Sequence, residues 1–476
     1  MFRLSRPLLC LSAILLLLPI SGCGDKGAET VPAAPTGAEG PVIFKNLDFD
    51  TLKQGDFTEA IKTVRASQRW STRKKHWNEG ASESTEPLKK VELKMTRTDL
   101  EASYEVGQDF LINWQLEDGN FRYMYDWITE TWVEDDHQVR QAGSLWGIAT
   151  SYRYRPSEKA RKALDLGIKF WFKNTIEGPE EGTLNLKYPG DHRTDSGTVA
   201  LVSLALIEYL KTDAPMDNEW RQEIDTKLDG YLALLQWMQL DNGHISKRYD
   251  HRKKRKHPRY SPYYDGESLL ALSKAARELD KKELVPTIER AARAMAKTYT
   301  VGSWGKDIDS NDTKGFFQWG CMSFVEYYLA KWKDYELFGD VALSLGWWMD
   351  KTHRTLSRRR NHAYAIEGLI SAWRIAHMRE DHAAGTDLLY TLDRSLYKLS
   401  AWQIGGPLAK NNRYLKKHGK DDPMSKGGVM NAERRPKKPK PVQKDVAHQL
   451  RIDVTQHQMH AVTMSLEEVY PPLPKK

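Results

Sequence analysis

From residue 98 to residue 470, apolar positions recur at intervals of three and four, and the breaks fall at Gly, Pro and Asn/Asp clusters. This period predicts helices over 99–116, 136–154, 157–174, 196–211, 218–240 and 265–279, then over 284–299, 316–333, 335–352, 363–379, 383–403 and 451–468. No alternating run suggests a sheet. The helices are of two kinds that take turns. "SEKARKALDLGIKFWFKN" and "LVPTIERAARAMAKTY" are amphipathic, with a charged outer face. Their partners open on polar clusters and continue through small apolar residues: "DDHQVRQAG", "RTDSGTVAL", "YYDGESLLAL", "FFQWGCM", "NHAYAIEGL" and "LRIDVTQHQMHA".

An internal echo supports pairing the helices. "WQLEDGNFRYMYD" closes the first and "MQLDNGHISKRYD" the fifth, each with a glycine suited to a left-handed helix end. Residues 408–448 break the period. They are rich in Lys and Pro and read as one long basic loop before the last helix. Within 46–97, "DFTEAIKTVRASQRW" fits one amphipathic helix packed on the outside.

The N-terminus adds a targeting signal. "MFRLSRP" is basic, and "LLCLSAILLLLPI" is apolar but short for a membrane span. "ISGC" follows and resembles the lipobox of bacterial lipoproteins. That resemblance implies a signal peptide over 1–22, lipid on Cys23, a flexible Ala/Pro/Gly tether over 23–45, and a membrane-anchored place in the bacterial cell envelope. Cys10 leaves with the signal and Cys23 carries the anchor, so Cys321 stands alone and no intramolecular disulfide can form. The net charge of +8 is concentrated in "RYDHRKKRKHPR", "HRTLSRRRNH" and "ERRPKKPKP". These runs are either solvated loops or a surface for polyanions. With no nucleic-acid-binding motif in a secreted chain, an acidic glycan or anionic lipid ranks ahead of nucleic acid.

In order and spacing, "EDGNFRYMYD", "DDHQVRQAGSLWGIA", "YYDGESLLAL", "NHAYAIEGLISAW" and "RIDVTQHQMHA" resemble the six-hairpin, (α/α)6-toroid carbohydrate-active proteins, of the glucuronyl-epimerase-like and glycoside-hydrolase-like kinds. The resemblance implies an all-α toroid over 98–470. Inner helices would line a central cavity and present their polar N-terminal heads to it, where negative charge is locally favoured. It also implies a glycan as the partner.

Two chemistries fit such a cavity. Glycoside hydrolysis needs two carboxyl groups across a sugar ring. Glu267 and Glu367 lead the candidates, each about one turn into its helix beside a glycine that makes room for a ligand or a packed helix. Asp136, Asp195, Asp265 and Asp453 follow, and each also suits a helix cap. Uronate epimerisation or elimination needs a cation for the carboxylate and a base for the neighbouring proton. Arg140, Arg451, Tyr264, Tyr364, His457 and His460 supply these types, with Gln141 beside Arg140. The 16 Trp and 21 Tyr exceed ordinary use. Tyr125, Trp127, Trp132 and Trp319 are candidate sugar platforms, the two loop tryptophans because exposure there would call for a reason. No nucleophile elbow, P-loop or dinucleotide fingerprint occurs, and His and Cys are too scattered for a dedicated zinc site. The expectation is an envelope-anchored hydrolase of poly- or oligosaccharide with no cofactor and no metal. A uronate epimerase, a polysaccharide lyase or a non-catalytic glycan-binding scaffold are the alternatives.

Overall fold

Helix α4 (Ser196–Leu210) is buried at every position, whereas α3 (Glu158–Lys173) keeps an exposed charged edge. The two kinds of helix read from the sequence are thus an inner and an outer wall. The computed structural model describes residues 51, 91–360, 362–433 and 447–470. The signal peptide, Cys23, the tether and most of 46–97 lie outside the described residues.

The inner wall is α2 (Gln138–Tyr154), α4, α6 (Pro262–Glu278), α8 (Asn311–Leu329), α10 (His362–Met378) and α13 (Ile452–Met464). Each packs on the next, and α13 closes the ring on α2. The outer wall is α1 (Arg97–Asn113), α3, α5 (Asn218–Trp237), α7 (Val285–Lys297), α9 (Tyr335–Trp347) and α11 (His382–Ser400). This is an (α/α)6 toroid, with all twelve expected helices in place and their ends shifted by a few residues. Glycines let the inner helices approach closely. A Cβ at Gly266 would stand 2.3 Å from Trp319 Cβ, and one at Gly368 would stand 2.4 Å from Phe317 Cε1. Both glycines therefore make room for a neighbouring helix.

Connections from an inner to an outer helix are short. Those from outer to inner are long, lie at the N-terminal ends of the inner helices and form the mouth. Among the described residues the mouth carries eight strands of two or three residues, too short to leave an alternating pattern in the sequence. β1 (Met124–Asp126) is antiparallel to both β2 (Thr131–Val133) and β8 (Gln449–Arg451), β3 (Thr175–Glu177) pairs with β4 (Leu184–Leu186), and β6 (Arg248–Asp250) pairs with both β5 (Arg193–Asp195) and β7 (Arg255–Lys256).

The sequence echo proves to be one turn built three times. Leu116 N–H donates to the Asn120 carbonyl at 2.8 Å, Leu240 N–H to His244 at 2.8 Å, and Ile404 N–H to Gly428 at 2.9 Å. Gly119, Gly243 and Gly427 occupy the same place with φ of 96°, 88° and 89°. A side chain there would strike backbone: a Cβ at Gly427 would sit 1.9 Å from the Val106 carbonyl oxygen. Gln115, Gln239 and Gln403 each reach from the turn to a carbonyl of the next outer helix, Ala163 at 2.9 Å, Thr287 at 3.0 Å and Ser103 at 3.0 Å. In the third copy the chain leaves after Ile404 and returns at Gly427, so residues 405–426, which hold the first part of the basic segment, are an insertion within this turn. The insertion includes α12 (Arg413–His418).

The opposite end is stoppered by charge. Arg153 (α2) meets Glu208 (α4) at 2.6 Å, and Lys274 (α6) meets Glu208 at 2.9 Å. Arg277 (α6) pairs with Glu326 (α8), and Arg374 (α10) meets Glu468, just past α13, at 3.2 Å. Arg153 returns to Glu467 at 2.8 Å. Higher in the bore, Trp146 packs against His460 at 3.8 Å and against Trp319 at 5.7 Å, filling the axis.

Candidate active site

The first turns of the inner helices converge at the mouth, with their free N–H groups and positive dipole ends. Tyr263 is 43% exposed yet enclosed by protein on most sides. Water reaches it inside a concavity rather than on an open face. Arg140, Arg451, Tyr264 and Tyr364 are likewise partly wetted and closely surrounded. These groups line a wet funnel above the tryptophans.

Two similar constellations face it. On α6, Tyr264 and Glu267 are three residues apart and share a helix face. On α10, Tyr364 and Glu367 do the same. Tyr264 donates its hydroxyl to Asp195 Oδ2 at 3.1 Å, and Tyr364 donates to Asp453 Oδ2 at 3.1 Å. Asp195 is the residue before α4, and Asp453 is in the first turn of α13. A strand delivers an arginine to each carboxylate. Arg248, first in β6 (Arg248–Asp250), reaches Asp195 at 2.9 Å, and Arg451, last in β8, reaches Asp453 at 2.5 Å. Arg140 adds a second cation to Asp453 at 3.3 Å and donates to the Tyr123 hydroxyl.

The glutamates differ. Glu267 Oε2 has no hydrogen-bond partner and lies against Gly197, where a Cβ would come within 2.1 Å of it. Burial, with help from the Asp195 charge, pushes its carboxyl up to about 8, so it is mostly protonated at neutral pH. Glu367 is equally buried, but its partners outweigh burial and hold it below the usual range, the charge and hydrogen bond of His457 first among them. Gln318 Nε2 donates to Glu367 Oε2 at 2.6 Å, and His457 Nδ1 lies 2.8 Å from Oε1. An ionised Glu367 can only accept, which makes Nδ1 the protonated ring nitrogen and leaves Nε2, on a side chain that is 7% exposed, without a hydrogen-bond partner among the described residues. Burial lifts Asp453 too, but Arg451 and Arg140 pull it well below the carboxylate range. Asp195 is raised by burial despite Arg248.

The other sequence candidates take different places. Asp136 sits exposed at the rim, accepting from Gln141 at 2.7 Å and from the Tyr188 hydroxyl at 2.5 Å. Gln141 is buried and also clasps both backbone groups of Phe121, so it ties a loop down. Asp265 is locked by His244 at 2.6 Å, the Tyr299 hydroxyl at 2.5 Å and the Ile245 N–H at 2.8 Å. Trp127 is not an exposed loop platform. It is 1% exposed, and its indole N–H donates to the Ala447 carbonyl at 2.8 Å, because β1 draws the loop under the chain before β8. Tyr125 is buried against Trp132 at 4.7 Å, and the Arg122 guanidinium lies over Trp132 at 4.6 Å. Trp319 is in the funnel floor, 5.8 Å from the His457 ring.

Sequence reasoning missed Tyr263, Arg248 and Gln318. Arg248 was hidden in a basic run, and Gln318 looked like ordinary helix filling. Tyr263 carried a signal, being one residue before Tyr264 in "PYYDGE". The histidines also group more closely than their scatter suggested. Glu367, His457 and His460 offer ligand-type atoms within 4.8 Å of one another, and among the described residues they are the group that could hold a metal ion. The amide nitrogens of Gln318 and Gln456 point into the same space, the latter 3.1 Å from His460 Nδ1. Donors so placed fit a hydrogen-bonded carboxylate better than a cation.

No family model and no curated protein sequence matches the chain. Solved structures do match its fold. A cellobiose 2-epimerase from Bacillus thermoamylovorans superposes with a TM-score of 0.53 at 10% identity, covering 77% of this chain and 98% of that one. A D-mannose isomerase gives 0.53 at 14% identity over 78% and 98%. A glycoside hydrolase family 76 mannosidase from Bacteroides thetaiotaomicron gives 0.51 at 10% identity over 77% and 97%. At such identities the likeness is one of fold: this chain shares the six-hairpin toroid of carbohydrate-active enzymes.

Proposed function

We propose that the protein is a carbohydrate-active enzyme that moves a proton at a sugar carbon, as an epimerase or isomerase does. The observation that carries this reading is the commitment of Glu367 to His457. The carboxylate holds Nδ1 and orients the imidazole, leaving Nε2 as a base toward the funnel. Glu267, protonated at neutral pH, is the opposing acid. Arg140 and Arg451 stabilise negative charge that develops on the sugar oxygens. An epimerase and an isomerase are among the solved structures that share the fold.

Hydrolysis is the second reading, favoured by the raised carboxyl of Glu267, which suits a general acid, and by the fold shared with a mannosidase. It lacks a free partner carboxylate: Glu367 and Asp453 are both engaged. Incubation with mono- and oligosaccharides in D2O separates the two. Deuterium entering a sugar C–H position, lost in His457→Asn, supports proton transfer. New reducing ends without exchange sink it in favour of hydrolysis. Binding with neither product supports a glycan-binding scaffold.

We further propose that the enzyme is held at the bacterial envelope by lipid on Cys23, on the strength of the "ISGC" signal. Mass analysis of the mature N-terminus tests this. An unmodified Cys23, or a membrane fraction unchanged by Cys23→Ala, rules the anchor out.

A further inference from the structure

The rim of the mouth is divided by charge. The connections over 114–137 and 174–195 hold twelve Asp/Glu and three Lys/Arg. The connection over 238–261 holds eight Lys/Arg and two Asp, 348–360 holds five and one, and the insertion over 401–426 holds six and two. Two of the basic runs singled out in the sequence, 248–259 and 353–362, thus lie at this end with the insertion, on an arc from the head of α6 round to the head of α13 that is interrupted by the connection over 298–310, with one Lys and two Asp. The five inner-to-outer connections at the other end hold seven of each sign together. Within the arc, Arg252, Lys253, Lys254 and Arg255, at the tip that leads from β6 into Arg255–Lys256, are exposed, and their side chains form no ion pair among the described residues, although Asp250 caps the backbone N–H groups of Arg252 and Lys253 at 3.0 Å; the side chains of Lys416 and Lys417 on α12 are likewise exposed and outside any ion pair among the described residues.

Unpaired cations held along a concave rim make a field that concentrates anions over the funnel. The arc ends at Arg451. Together with Arg140, that residue gives Asp453 two cations for one carboxylate, so the wall keeps a surplus positive charge of its own. We infer that the substrate is a polyanionic glycan, a chain of uronate or sulfated sugars, which lies along the basic arc and presents one residue to the funnel. This rests on the carbohydrate reading above and narrows its substrate class. A flexible chain can follow the basic half alone. A flat anionic membrane would meet the acidic half of the same rim.

The test is equilibrium binding by the full chain carrying His457→Asn, so that turnover does not interfere. The probes are polygalacturonate, neutral mannan and vesicles of phosphatidylglycerol. Polygalacturonate should bind best, and its affinity should fall roughly tenfold between about 50 and about 300 mM NaCl as screening shortens the field. The exposed variant K253E/R255E/K416E/K417E should bind it roughly tenfold more weakly, with mannan binding unchanged. A pair of reversals on the acidic half, E134K/D135K, should bind polygalacturonate at least as tightly. Equal affinity for mannan and polygalacturonate, or no loss in the quadruple variant, overturns the inference. Vesicle binding that exceeds polygalacturonate binding and vanishes in that variant replaces it with a membrane surface. Tight, salt-sensitive polygalacturonate binding by a chain whose wild type yields no product from any sugar leaves this inference standing and removes the enzymatic reading alone.

Discussion

Glu267 and Glu367 occupy the same place in two near-copies of one arrangement, three residues past a tyrosine that is hydrogen-bonded to an arginine-paired aspartate. They are equally deep, yet one is held protonated and the other ionised. The difference lies in what each oxygen meets. Glu267 Oε2 faces glycine and a like charge, whereas both oxygens of Glu367 meet donors. Burial by itself does not decide a carboxyl's state. The neighbours that replace water decide it, and two such groups over one cavity give a protonated carboxyl and an ionised one from the same residue type.

The sharpest way to break this pairing is to remove the base. His457→Asn should lower kcat by about a thousandfold with its fold intact by circular dichroism. A variant that retains most activity sinks the relay. Glu267→Gln should cost about a hundredfold at neutral pH. Wild-type activity should fall as pH rises past about 8, where Glu267 ionises, and an alkaline limb that persists in Glu267→Gln assigns that limb to another group.

The same contrast reaches stability. Asp453 neutralises two arginines and Asp195 one, so Asp453→Asn should destabilise by roughly 3–5 kcal/mol in urea unfolding and Asp195→Asn by clearly less. Equal losses would mean that Arg140 gains nothing from Asp453. The folded-state pKa of Glu267 is raised, so its contribution is fully present below the unfolded value and declines as pH climbs toward about 8. Between those limits wild-type stability should fall relative to Glu267→Gln, by at most roughly 1.4 kcal/mol per pH unit. The opposite slope would show Glu267 ionised in the fold. Smallest of all, dialysis against a chelator should leave the melting temperature unmoved. A drop of several degrees, restored by zinc, would recast Glu367, His457 and His460 as metal ligands.

Much of the fold was legible because a toroid writes itself twice, as helical period and as alternation between charged-faced and polar-headed helices. The third copy of the glutamine turn was not, since 22 residues separate Ile404 from Gly427 where two separate Leu116 from Gly119. Strands of three residues have no period to read. In the site, Glu267 and Glu367 stood out for their glycine neighbours, but those glycines seat Trp319 and Phe317. What distinguishes the two glutamates comes from other elements, the charge of Asp195 at the head of α4 in one case and contact with Gln318 on α8 and His457 on α13 in the other. Linear spacing carries no trace of which helices become neighbours. Trp127 misled for a related reason, because its partner is Ala447, more than three hundred residues away.

The ionic stopper at the far end has a kinetic meaning. A ring open at both ends would let a polymer thread through and be worked on in passing. With Glu208, Lys274 and Glu326 closing one end and Trp146, Trp319 and His460 filling the bore above them, the funnel is a blind well with a single door. Whatever enters must back out the way it came. If the proposed activity holds, product and substrate compete for one passage, and a long chain offers the well only its terminus.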